Sequence, residues 1–150
     1  MELNAMTDDD YRALSEFRSQ LRHFLRKSED AAAAVGLQPQ QYQVMLMVQG
    51  LEADGIAPTI TQIADRLYLR HHSVVGLIDR LEKNELVTRQ RADLDQRNVL
   101  ISLTPAGDSL IQKLSRFHQE ALRSSGPDLV RSLRGVIEGA GLPVEDAPRT

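Results

Sequence analysis

The stretch TQIADRLYLRHHSVVGLIDRLEKN (residues 61–84) decides the fold. Its first half places Ile63, Ala64 and Leu67 on one apolar face, behind Thr61 as a candidate N-cap. Tyr68 and Leu69 make a short connection. A longer helix is then expected from about His71 to Asn84. Val74, Leu77, Ile78 and Leu81 recur there at spacings of three, one and three and face inward. Ser73, Val75, Gly76, Asp79, Arg80 and Lys83 are left facing outward. Short helix, tight turn and longer helix form a helix-turn-helix. The longer helix fits the DNA major groove if its outer face is small and polar near the N-terminus. His71, His72, Ser73 and Gly76 meet that need. A glycine inside a helix costs about 1 kcal/mol against alanine, so Gly76 calls for a compensating gain.

Downstream the period changes to two. Val87, Arg89 and Arg91 alternate with Thr88 and Gln90, and Val99, Ile101 and Leu103 alternate with Leu100 and Ser102. The polar stretch from Ala92 to Asn98 joins them, so the pair reads as a β-hairpin. Its loop carries Asp95 and Arg97. An arginine at a loop tip suits the narrow minor groove, where the negative potential is enhanced. A nearby aspartate can hold that arginine by a charge-assisted hydrogen bond. Arg89 and Arg91 on the first strand suit phosphates. Asp79 is expected to brace a neighbouring arginine, leaving Arg80 for phosphate.

Helices are expected on both sides of this segment. One runs from about Asp9 to Ala34, with Leu14, Phe17, Leu21, Phe24 and Leu25 at spacings of three and four and Gly36 as its stop. A second opens at Gln38-Pro39 and buries Val44, Met45, Val48 and Leu51. Gly50, Gly55 and Pro58 mark the loop that follows. Thr104-Pro105 starts a fifth helix with Leu110, Ile111, Leu114, Phe117, Ala121 and Leu122 on its stripe. Gly126-Pro127 is expected to break it, and Leu129, Leu133, Val136 and Ile137 to form a sixth. Residues 139–150 are rich in glycine, proline and acid and read as a flexible tail.

Two strings are more specific than these periodicities. The run Ile63-Ala64-Asp65-Arg66-Leu67, followed by His71 to Glu82 with its Asp-Arg-Leu-Glu ending, resembles the helix-turn-helix of the multiple antibiotic resistance regulator (MarR) family. Asp93-Leu94-Asp95-Gln96-Arg97, with Val99 to Gly107 and its Leu-Thr-Pro-Ala-Gly string, resembles that family's wing and the entry to its next helix. The resemblance covers roughly residues 8–138. It implies a mainly α fold with a small β-hairpin wing. Residues 8–36 and 105–138 would be dimerisation helices, and residues 38–104 a winged DNA-binding lobe. It further implies a homodimer on a palindromic operator, and in many members release of DNA by a small anionic aromatic effector. The DNA-binding residues carried over are Arg70, His71, His72, Ser73, Val75, Gly76, Arg80, Arg89, Arg91, Asp95 and Arg97. Glu85 stands where the family has a glycine after the recognition helix, and Arg70 stands at that helix's N-cap, a type that caps poorly.

Composition bounds the function. The 150 residues are 41% hydrophobic and 26% charged, which suits one ordinary globular chain. No cysteine is present, so disulfides, thiolate metal sites and thiol redox sensing are excluded. No apolar run reaches the roughly 18 residues of a membrane span, and the acidic start lacks the pattern of a signal peptide; a cytoplasmic protein is expected. Net charge is -3, yet residues 66–97 hold seven Lys/Arg against five Asp/Glu, a local +2 against -5 elsewhere. DNA responds to local potential, so the distribution outweighs the total. The acidic total keeps a rival reading open: a winged-helix module for protein contacts, without DNA. No nucleophile elbow, phosphate loop or metal-binding helix motif is present, so neither catalysis nor a cofactor is expected. His71 and His72 read as DNA contacts or as solvated turn residues. His23 and His118 form a candidate metal pair only if the terminal helices bring them together. Phe17, Phe24, Tyr42 and Phe117 read first as packing and only second as a ligand lining, and Met45 and Met47 first as core filler.

Overall fold

The computed structural model describes residues 4–91 and 99–139. In chain order its elements are α1 (Asp8–Ala34), α2 (Pro39–Ala53), α3 (Ile60–Leu67), α4 (His71–Lys83), β1 (Val87–Arg91), β2 (Val99–Leu103) and α5 (Pro105–Glu138). The described residues group into two compact units. One is Glu29–Phe117; the other joins residues 4–28 to 118–139. α1 and α5 each contribute to both.

The larger unit closes its own core. α2 supplies Val44, Met45, Val48 and Leu51; α3 supplies Ile63 and Ala64; α4 supplies Val74, Leu77, Ile78 and Leu81. Val87, Ile101, Ile111 and Leu114, with Ala32, Leu37 and Tyr42, complete it, and none of these is more than 5% exposed. Burial of apolar surface stabilises by about 25 cal/mol per Å², so this cluster is what holds the lobe together. Met45 is fully buried, as core filler should be.

Local chemistry sets the joints. Gly36, at φ +78°, ends α1: Leu37 N–H reaches the Ala32 carbonyl at 2.9 Å and Gly36 N–H the Ala33 carbonyl at 3.0 Å. This double closure needs a left-handed residue, which glycine supplies without strain. α2 opens with Pro39 in its first turn, and the Gln41 side chain accepts from the Gln38 N–H at 2.8 Å.

α3 begins earlier than Thr61. Its N-cap is Thr59, whose hydroxyl accepts from Gln62 N–H at 3.2 Å. Thr59 also bridges Leu100, and Ile101 N–H donates to the Pro58 carbonyl at 2.9 Å. The segment ahead of α3 therefore lies along the wing, and that pairing fixes the extended backbone an N-cap requires.

β1 and β2 pair antiparallel, from Val87 opposite Leu103 to Arg91 opposite Val99. Asp95, Arg97 and the rest of the connecting loop lie outside the described residues, as does the expected tail from residue 140 onward. After α4, Asn84 keeps a negative φ and Glu85 takes the left-handed position at φ +60°. A side chain there costs about 1 kcal/mol. The Glu85 carbonyl accepts the Thr104 hydroxyl at 2.7 Å, and Thr104 N–H donates to the Leu86 carbonyl at 3.0 Å. The same hydroxyl accepts Gly107 N–H at 3.0 Å and so caps α5. A Cβ on Gly107 would stand 2.1 Å from the Leu86 carbonyl oxygen, so only glycine permits this approach. The Thr-Pro-Ala-Gly string is thus a clasp between the recognition helix's exit and the start of α5.

The smaller unit departs from expectation at Gly126-Pro127. α5 runs unbroken through both residues, so the fifth and sixth helices are one. Proline removes a single N–H from the helix ladder. Residues 122–124 and 127–128 are exposed, so the carbonyl left without a donor can be hydrated. Nearby, Ser125 Oγ donates to the Ala121 carbonyl at 2.7 Å and Ser132 Oγ to the Leu129 carbonyl at 2.8 Å. Met6, Tyr11, Leu14, Leu122, Val130, Leu133 and Ile137 of this unit are all 41–60% exposed. Among the described residues no helix is long and apolar enough to cross a membrane.

Candidate nucleic-acid interface

α4 has three faces. Val74, Leu77, Ile78 and Leu81 bury one of them in the lobe core. Val75, Asp79 and Glu82, at spacings of four and three, form the second, and Arg89 of β1 lies against it. The Arg89 Nη2 is ion-paired with the Asp79 carboxylate and lies 3.5 Å from the Val75 carbonyl, while its Nε is 4.0 Å from Glu82. That Nε is buried and has no hydrogen-bond partner among the described residues. Arg89 therefore joins the wing to the recognition helix. Asp79 is the brace expected of it, and the arginine it braces is one expected at phosphate.

The third face is the outward one. Helical spacing brings His72, Gly76, Arg80 and Lys83 onto it, with Ser73 at its edge. His71, His72, Arg80 and Lys83 are exposed; Ser73, Val75 and Gly76 are half-buried. Arg80 Nη1 donates to Gln38 Oε1 at 3.2 Å, a neutral partner, and Arg80 makes no ion pair among the described residues. A Cβ on Gly76 would meet nothing within 4 Å. Internal packing therefore does not require this glycine, in contrast to Gly107.

The helix start is also open to an anion. Arg70 is the N-cap and its side chain makes no cap hydrogen bond, while no acidic residue occupies the first turn. Backbone N–H groups at such an end are free to bind phosphate, and the helix dipole favours negative charge there. α1 differs, with Asp8, Asp9 and Asp10 in its first turn. Arg66, Arg70 and Arg91 are exposed and make no ion pair among the described residues. Cations left unpaired on one lobe are what a polyanion requires.

Other expected groups serve the fold. Tyr42 is 5% exposed, and its hydroxyl lies 3.1 Å from Ser115 Oγ. Burial raises its pKa, and the Ser115 contact opposes that shift. His118 is 8% exposed with Nε2 3.1 Å from Ser28 Oγ. Phe17 and Phe24 are half-buried and Phe117 is 46% exposed. Two features escaped sequence reasoning. Glu82 joins the Arg89 cluster, and its spacing of three from Asp79 and seven from Val75 gave no sign of a strand arginine beside it. Tyr68 stands in the left-handed region at φ 54°, ψ 37° and is 96% exposed.

Residues 35–98 match the sequence profile of the MarR family. The HTH-type transcriptional regulator YsmB of Bacillus subtilis is 42% identical over 65 residues, 43% of this chain and 44% of that protein. The chain thus aligns with under half the length of that relative. Two solved structures share the fold across nearly the whole chain. The MarR family transcriptional regulator AbsC of Streptomyces coelicolor superposes with a TM-score of 0.73 at 19% identity, covering 93% of this chain and 96% of that one. A mutant of MepR from S. aureus, bound to an oligodeoxyribonucleotide, superposes with a TM-score of 0.62 at 19% identity, covering 91% and 99%. The mainly α architecture with a two-stranded hairpin is the one these structures have. The segment that matches the MarR family profile, under half of the chain, thus carries its helix-turn-helix and first strand, and the fold around that segment is the one the solved MarR family structures share.

Proposed function

We propose that this chain is a homodimeric, sequence-specific DNA-binding regulator, acting as a repressor from the cytoplasm and relieved by a small ligand. The observation that carries the reading is the division of α4 into three faces. One is in the core, one is tied to the wing through Arg89, and one presents His72, Gly76 and Arg80 outward, with Gln38 as the hydrogen-bond partner of Arg80. A helix with such a face fits the major groove, and Gly76 allows close approach. His71, His72 and Ser73 are placed for base edges or phosphates. Arg70, Arg80 and Arg91 are placed for phosphates. Val75 and Arg89 serve by fixing the wing. Asp95 and Arg97 are assigned to the minor groove from their loop position.

A second copy of the chain is the partner assigned to the terminal unit, whose seven large apolar residues are otherwise half-exposed. Two lobes would then read a palindrome with half-sites about 34–36 Å apart. The effector proposed is a small anionic aromatic compound held non-covalently, since the chain has no thiol.

Arg97→Ala tests the reading. On a duplex selected from a random pool, affinity should fall about tenfold and the salt slope by about one. Unchanged binding across salt concentrations would remove Arg97 from the interface. The net charge of -3 favours the rival, a module for protein contacts. Absence of any mobility shift on duplex DNA at low salt would decide for it.

A further inference from the structure

Tyr68 lies on the turn between α3 and α4. Its backbone conformation is demanded by the chain path: Tyr68 N–H and Leu69 N–H both return to the Ala64 carbonyl, the latter at 3.1 Å, closing α3 with a left-handed residue. That geometry explains a glycine or an asparagine here and does not explain a tyrosine. A bulky side chain in this region is a genuine backbone outlier. Ordinarily such strain is offset by packing, but the ring is 96% exposed and its hydroxyl has no partner among the described residues. The other non-glycine left-handed residue, Glu85, differs: its exposed side chain ends in a charge that water solvates, whereas Tyr68 puts a large ring into water. Outliers of this kind concentrate at functional sites.

The surroundings say what would meet the ring. Tyr68 is two residues before Arg70, the N-cap of α4, so their Cα atoms are within about 8 Å. Arg66, Arg70, His71 and His72 flank it and are all exposed, with Asp65 as the one acidic side chain from residue 65 to 72. The groove-facing start of α4 opens directly beyond it.

We propose that Tyr68 is a DNA-backbone contact, its phenol O–H donating to a phosphate oxygen and its ring resting on the adjoining sugar beside the groove that α4 enters. The contact rests on the DNA-binding function proposed above and adds to it a residue that carries affinity rather than sequence information. The left-handed turn pushes the side chain out of the protein surface, and the strain it stores is the cost of that reach.

Opposite movements of stability and affinity test this. Tyr68→Gly and Tyr68→Asn relieve the backbone strain while removing the phenol; Tyr68→Phe keeps the ring alone. Full-length variants and parent are compared by thermal melting and by fluorescence anisotropy, on a pool-selected duplex and on a random one. The glycine and asparagine variants should melt no lower than the parent yet bind both duplexes about tenfold more weakly, the worth of one charge-assisted hydrogen bond. Tyr68→Phe should fall between. Because tyrosine is neutral, the salt slope should not change, which separates this loss from that of Arg97→Ala. If all three variants bind as the parent does, Tyr68 is no contact and the DNA-binding function stands. If affinity falls only in step with a lower melting temperature, the residue is structural and the proposal is overturned. If the parent itself binds neither duplex, the function fails and takes this contact with it.

Discussion

The lobe at Glu29–Phe117 and the unit formed by residues 4–28 and 118–139 solve opposite problems. Every buried apolar residue of the described chain, from Ala32 to Leu114, belongs to the lobe. The other unit has His118 as its one buried residue, and it holds seven of the ten exposed large hydrophobic residues. Both are built from helices with apolar stripes at three and four, so helical pattern alone does not separate them. The difference is what each stripe meets. In the lobe, α2, α3, α4 and the wing cover one another. In the terminal unit the apolar side chains outnumber their partners, which is the condition under which burial between copies supplies the missing stabilisation. Under the proposed function the lobe is the part assigned to DNA, and the terminal unit the part assigned to hold two lobes at one spacing.

Charging the terminal stripe should have the largest effect. Leu133→Asp together with Ile137→Asp should leave the lobe folded, convert the dimer to monomer in sedimentation, and weaken operator binding by about a hundredfold or more as the two lobes cease to bind jointly. A dimer that persisted with full affinity would break the division of labour. Next comes the lobe core. Ile78→Ala should cost about 2–5 kcal/mol in denaturant unfolding, from lost burial and the cavity left behind. It should leave the association state intact as long as the chain is folded.

A smaller effect is expected at Gly76. Gly76→Ala should raise stability by up to about 1 kcal/mol, because the added methyl meets nothing inside. It should also weaken DNA binding, since the methyl intrudes on the approach. A gain in stability with no loss of affinity would mean the outer face of α4 does not lie close to DNA. Gly107→Ala should behave oppositely and destabilise, because the Leu86 carbonyl occupies the space.

The smallest effect concerns pH in the terminal unit. Burial holds His118 below its ordinary pKa of 6.5, with the Ser28 hydrogen bond opposing that shift. The unfolded chain then binds a proton more readily than the folded one. Stability should be full above about pH 6.5 and decline as pH falls below it, because protonation favours the unfolded state. His118→Asn should flatten that part of the pH–stability curve. A curve unchanged by the substitution would remove His118 as its source.

Much of this was legible from the residues. The four inward positions of α4, the four of α2, the hairpin and the glycine stop of α1 all follow from period and from backbone freedom. The failures have local causes. Thr59 and Thr61 are equally good caps by type, and a bridge to Leu100, distant in sequence, chose between them. Gly126-Pro127 reads as a break because each residue is a poor helix former, yet the helix lost one donor at an exposed site and continued. The pairing of Arg89 with Asp79 was not readable from strand alternation, which reveals a face and not the carboxylate across from it. Tyr68 falls in the connection where it was expected, but its left-handed backbone and exposure are properties of the turn, not of the letter.

The central claim is that a dimer presents two α4 helices to successive turns of duplex DNA. Titrating the full-length chain into a pool-selected duplex, with anisotropy and sedimentation read together, measures it directly. Two chains per duplex should bind, and a five-base-pair insertion between half-sites, about half a helical turn, should abolish the specific complex while ten base pairs leave a weaker one. Binding of one chain per duplex, or indifference to the insertion, would contradict the claim.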